Sequence, residues 1–165
     1  MPVLEHVTPQ TVGEGEHLFV VAAGAAEPSS LSRLQEAPSR RSRFAKAVGQ
    51  RAERVVLQFL RQQLDKAEAD TLRWVAVQGE TPGWDLEYVD STDRLVAVEV
   101  KGTQGPRFLS IDLTKNEWDA ACALRDQYWL YLVASCISME PRIEPVRDPA
   151  VVPLDFGEFT FHALR

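Results

Sequence analysis

Apolar and polar residues alternate over two short runs, Trp84 to Val89 and Leu95 to Lys101, on either side of a polar DSTD cluster at 90–93. In the first run Trp84, Leu86 and Tyr88 interleave with Asp85, Glu87 and Val89. In the second, Val96, Val98 and Val100 interleave with Leu95, Ala97, Glu99 and Lys101. Period-two alternation around turn residues predicts a β-hairpin. Successive strand side chains point to opposite faces, so three valines share one face of the second strand while Glu99 and Lys101 share the other. Residues opposite each other in an antiparallel pair have a constant index sum. A turn centred on Thr92 fixes that sum at 184 and places Asp85 across from Glu99. A turn centred between residues would set Asp85 against Val98 or Val100 and disperse the group.

The pattern on either side of the hairpin is also readable. Phe44, Val48, Ala52, Val55, Phe59 and Leu64 recur at spacings of three to five, predicting a long amphipathic helix over 42–67 with Glu53 at the margin of its apolar stripe. Leu72 to Gln78 reads as a strand, followed by a turn over 79–83. After the loop GTQGPR, Phe108 to Leu113 reads as another strand. Thr114 and Glu117 then form a capping box that opens a helix with Trp118, Ala121, Cys122 and Leu124 facing inward. Capping gives Asn116 and Glu117 a sufficient structural role. Tyr128 to Ser135 is a continuous apolar run of the kind buried on both sides of a sheet. Beyond it Pro141, Pro145 and Pro149 limit regular structure, leaving an edge strand at Arg142 to Val146 and a further strand within 157–164. The succession predicts an α/β fold, a mixed β-sheet flanked by helices.

The first forty residues say least. Glu16 to Ala23 has the composition of a short strand, and 24–40 is a Pro, Ser and Ala-rich connector. The expected organisation is an N-terminal segment or linker at 1–40, a folded domain at 41–150 and an extension at 151–165 carrying an edge strand.

Charge changes this picture only in its distribution. The net charge of −6 argues against a nucleic-acid partner, yet 40–135 holds fourteen basic and fourteen acidic residues, and the acidic excess lies in the ends. Arg40, Arg41, Arg43, Lys46, Arg51 and Arg54 place six positive charges in fifteen residues, opposed only by Glu53. Such a run is either a solvated helix face or a phosphate-contact surface. Cys122 and Cys136 match no metal spacing, and His6, His17 and His162 are scattered, which leaves little for a histidine metal site or triad. The absence of a long apolar run or a basic-then-apolar leader predicts a cytoplasmic protein without a membrane span.

Asp85, Glu99 and Lys101 are the candidate chemistry. Two acids in a partly buried site repel each other and call for a cation between them. Oxygen ligands without Cys or His favour magnesium or manganese over zinc. Two plainer readings compete: Glu99 and Lys101 as solvated residues of an exposed sheet face, or Lys101 as a structural salt-bridge partner of Asp85 and Glu99.

These residues resemble the core of the PD-(D/E)XK nucleases, with Trp84 where the Pro of the name would stand. The order GQRAERVV, GWDLEY, VEVKGT, FLSIDLTKNEWDAA and YWLYLV is similar to one branch, the NO VEIN C-terminal domain type, over about Arg43 to Ser135. The resemblance implies a restriction-endonuclease-like fold and magnesium- or manganese-dependent hydrolysis of DNA in restriction, defence or processing. It implies Asp85, Glu99 and the Val100 carbonyl as metal ligands, Lys101 as the residue acting on the nucleophile or scissile phosphate, and Glu53 as the acid of the first helix. Arg41, Arg43, Lys46, Arg51, Thr103 and Gln104 are the weaker candidates for DNA contacts. A larger helicase or ATPase-type defence assembly and a homodimer are compatible partners. The alternative is a nuclease-like module that no longer cuts and instead binds DNA or protein.

Overall fold

The computed structural model describes residues 3–14, 16–18, 38–151 and 159–162. In chain order the strands are β1 (Gln10–Thr11), β2 (Arg73–Trp74), β3 (Leu86–Val89), β4 (Leu95–Gly102), β5 (Ile111–Thr114), β6 (Tyr128–Ala134), β7 (Arg142–Arg147) and β8 (Phe159–His162). The helices are α1 (Pro38–Gln63), α2 (Lys66–Thr71) and α3 (Lys115–Leu124). Six strands form one sheet in the order β1-β7-β6-β4-β3-β2, and β5 pairs with β8 in parallel. Because β4 and β6 are parallel while β3 is antiparallel to both β2 and β4, the sheet is mixed. This is the expected α/β fold, compatible with a restriction-endonuclease-like architecture. No helix among the described residues is long and apolar enough to cross a membrane.

The hairpin register follows the expected index sum: Leu86 pairs with Val98, Glu87 with Ala97, Tyr88 with Val96 and Val89 with Leu95. Its turn is fixed by Asp90, whose Oδ1 accepts from the N–H groups of Thr92 (2.8 Å) and Arg94 (3.0 Å). These bonds hold the Asp90 carboxyl down at about 2, the Thr92 hydroxyl being the largest influence.

Each side of β4 meets a different layer. Val96, Val98 and Val100 pack with Val48, Ala52, Val55, Val56 and Leu60 of α1. The helix lies close because Gly102 lacks a side chain: a Cβ there would stand 2.6 Å from the Ala52 Cβ. On the other face Ala97, Ala121 and Tyr128 form one small cluster, and Leu113, Leu130 and Leu132 belong to another. As expected, β6 is buried along nearly its whole length.

Several expectations are corrected. The helix ends at Gln63 and a separate short helix follows, capped by the Asp65 side chain on the Glu68 N–H (2.9 Å). Its buried stripe includes Val56 and Leu60, whereas Phe44 is 48% exposed. The strand over 72–78 shrinks to Arg73–Trp74, because the chain turns into a 3₁₀ helix at Ala76–Gln78 that ends on Gly79 with φ +78°. Cys122 is exposed on α3 rather than inward. β7 forms at Arg142–Arg147 as expected, but β1 covers its outer side at Arg142 and Ile143; Pro145 lies past that pairing, where it removes no bond to β1. Of the N-terminal strand expected at Glu16 to Ala23, 16–18 is not strand and 19–23 lies outside the described residues, as does 24–37 of the connector.

Candidate active site

The charged group lies where β3 begins and β4 ends, beneath the first turn of α3. The ladder stops at Leu86, and the Asp85 backbone bends one residue out of register, its N–H donating to the Val98 carbonyl (3.0 Å). Its own carbonyl accepts from Val75 (2.9 Å) and Ala76 (3.2 Å), so Asp85 is anchored from both sides. Asp85 therefore does not make the expected pair with Glu99, but its side chain still reaches β4. Asp85 Oδ2 accepts from the Val100 N–H at 2.9 Å, and the carboxyl lies close enough to Glu99 for each to influence the other's charge. A residue's N–H and C=O point to the same strand edge, which places the Val100 carbonyl on the Asp85 side of β4.

Glu99 is only 4% exposed, which excludes a solvated sheet face. The Lys101 ammonium donates to Glu99 Oε1 (2.6 Å) and to Glu117 Oε2 (2.7 Å). From the α1 side, Glu53 Oε2 accepts from the Trp74 indole N–H at 2.6 Å, and the Arg54 guanidinium sits 5.8 Å from the centre of that indole ring.

Burial dominates the electrostatics. It pushes Glu99 well above the usual carboxylate range; Lys101 opposes the shift, while Asp85 and Glu117 add to it. Burial raises Asp85 as well, with the Val100 N–H and Lys101 holding it back. Burial and then the Asp85 charge raise Glu53 to about 7, against the Trp74 hydrogen bond. For Lys101 burial favours loss of the proton, but Glu99 and Glu117 together leave it above its ordinary value.

Two separate cavities are lined by members of this group. One of about 270 Å³ is lined by Asp85, Glu99, Glu117, Asn116, Gly83 and Trp84. The other, about 680 Å³, runs along Lys101, Thr103, Gly105, Arg107, Leu109 and Asp112. No group of three or more His, Cys, Asp or Glu side chains among the described residues is arranged to hold a metal ion. The available donor set is therefore the buried Glu99 carboxyl, the half-buried Asp85 carboxyl and a main-chain carbonyl. These are hard oxygens whose mutual repulsion a divalent ion would relieve.

Of the residues singled out from sequence, Asp85, Glu99, Lys101 and Glu53 converge, with Val100 beside them. Arg51 does not join an exposed basic face: it is buried, and its Nε donates to the Cys136 carbonyl at 3.3 Å. Arg43 and Lys46 are exposed on α1, and the Arg41 side chain lies outside the described residues. Thr103 is tied down, its hydroxyl accepting from the Gly105 N–H (3.2 Å) and its backbone bonded to Val133 and Cys136; Gln104 is exposed. Sequence reasoning missed Glu117 and Trp74 as members of the group. The signal for Glu117 was its place one residue before the inward-facing Trp118; the capping box supplied an explanation that concealed it. Trp74 fell in a supposed regular strand.

A mixed sheet with an Asp at the start of one hairpin strand and Glu-x-Lys near the end of the next defines a nuclease-like α/β domain. Residues 52–146 match the family model described as Protein NO VEIN, C-terminal, and the chain belongs to that family. No curated protein and no solved structure matches it.

Proposed function

We propose that this protein hydrolyses DNA phosphodiester bonds with magnesium or manganese. The observation that carries the reading is the convergence of Asp85, Glu99 and Lys101 in a largely buried group, with Glu53 beside it. Asp85, Glu99 and the Val100 carbonyl would hold the ion, which lowers the pKa of water and neutralises charge developing at phosphorus. Lys101, positively charged and lining the larger cavity, is suited to steady the scissile phosphate or the attacking water. Glu53 titrates near neutrality, matched to accepting a proton in that step. Arg43 and Lys46 on α1 would contact flanking phosphates. Fold alone would not license this reaction class; the residue group and the family together support it.

A second reading, a nuclease-like module that binds without cutting, draws on one observation: Lys101 is already engaged by two carboxylates. Incubation with plasmid and linear DNA, with and without manganese, separates the two. The nuclease nicks or degrades DNA only with metal, and Lys101→Ala binds but loses cleavage by about a thousandfold. Absence of cleavage by the wild type with any divalent ion would leave the binding module.

A further inference from the structure

We infer that Glu117 is a positioning residue for Lys101, holding its ammonium beside Glu99 through the N-terminal cap of α3. This rests on the reading of Lys101 as part of the reaction centre.

Capping alone does not account for what Glu117 does. In a capping box the N3 acid has to meet only the cap residue's backbone N–H. Here Glu117 Oε2 accepts from the Thr114 N–H at 3.0 Å and from Lys101 Nζ at 2.7 Å, so one oxygen joins the helix start to the lysine. Its side chain is 16% exposed, unlike that of the neighbouring Lys115–Asp119 surface pair at 74% and 57%. Exposed pairs contribute little; an enclosed charge-assisted bond fixes geometry.

The helix start is itself registered on the other half of the site. Asn116 Nδ2 donates to the Thr81 carbonyl at 3.0 Å, and a Cβ at Gly83 would stand 2.7 Å from the Asn116 carbonyl oxygen. Gly83 adopts φ +106° two residues before Asp85, a conformation and a proximity that need glycine. The first turn of α3 therefore sets Asp85 and Lys101 relative to each other from one rigid element.

Glu99 cannot serve this purpose by itself. It accepts from Lys101 and faces the Asp85 charge, and a divalent ion between the two carboxyls would draw its charge away from the lysine. Glu117 lies across Lys101 from that demand and keeps the ammonium in place when Glu99 turns to a cation.

Glu117→Gln separates the roles, because Gln also completes a capping box while removing the charge. The full chain should stay folded, and manganese-dependent DNA cleavage should fall about tenfold or more in kcat with KM little changed. Independently of any activity, a double-mutant cycle of Lys101→Met and Glu117→Gln, read by urea midpoints, should be strongly non-additive both in chelator and in manganese. Additive midpoints, or an unchanged kcat in Glu117→Gln, would overturn the inference. A wild type that cuts no DNA would sink the proposed reaction, and the cycle would still decide whether Glu117 holds Lys101.

Discussion

Val96, Val98 and Val100 meet the apolar stripe of α1, while Ala97, Glu99 and Lys101, interleaved with them on β4, face the α3 side. Both sides are shielded from water, with Val98 at 0% and Glu99 at 4% exposure. One face gains from that shielding and the other is penalised by it. Burying a branched aliphatic side chain contributes about 1.5–3 kcal/mol. Burying carboxyls beside each other raises their pKa values, and the single ammonium offsets the repulsion only in part. A face that opposes folding and lies against a cavity has the character of a site. Its neighbour one residue away has the character of a core.

The largest effect should come from moving the charge to the wrong face. Val98→Asp buries a carboxylate among α1 aliphatics with no partner, a cost on the order of the whole folding free energy, so no cooperative thermal transition should remain. A well-folded Val98→Asp would show that the valine face is not the core. By contrast, Glu99→Gln should melt in chelator at or slightly above the wild-type temperature, because it removes a repelled carboxylate and Lys101 keeps Glu117. A loss of about 3–5 kcal/mol, the usual cost of breaking a buried ion pair, would instead mark a structural salt bridge.

pH sharpens the same contrast. The folded-state value for Glu53 is about 7 against an ordinary 4.5, so the folded protein binds that proton more tightly. Its stabilising contribution is complete below about 4.5 and disappears as pH rises through 7. Asp85 and Glu99 act in the same direction. The metal-free protein should therefore lose stability between pH 5 and pH 8. Glu53→Gln, which can still accept the Trp74 hydrogen bond, should flatten part of that slope and raise Tm at pH 8 by roughly 2–4 °C. An identical pH profile in the variant would show that Glu53 does not titrate there.

The smallest effect concerns the outer surface of α1. Reversing Arg43 and Lys46 to Glu should reduce the dependence of DNA affinity on salt by about one to two units of slope. An unchanged slope would take this helix out of the DNA interface.

Much of this contrast was legible in the chain. The alternation over 95–101 separated the two faces, and the index sum through Thr92 set the register from Leu86 to Leu95. Local pattern failed where tertiary geometry took over. The one-residue bend at Asp85 depends on main-chain bonds to Val75 and Ala76, which no periodicity encodes. Arg51 lies inside a basic run, but its guanidinium turns inward to the Cys136 carbonyl, 85 residues away in sequence. Glu117 satisfied a local rule completely, and its second partner comes from another strand. Phe44 has the right spacing for the stripe of α1 but is about half exposed.

Titration calorimetry with manganese on the metal-free protein tests the central claim most directly. Binding should be saturable, strengthen from pH 6 to pH 8 as the carboxyls give up protons, and be lost in Asp85→Asn and in Glu99→Gln. No binding heat at any of these pH values, or the same heat in both variants, would contradict it.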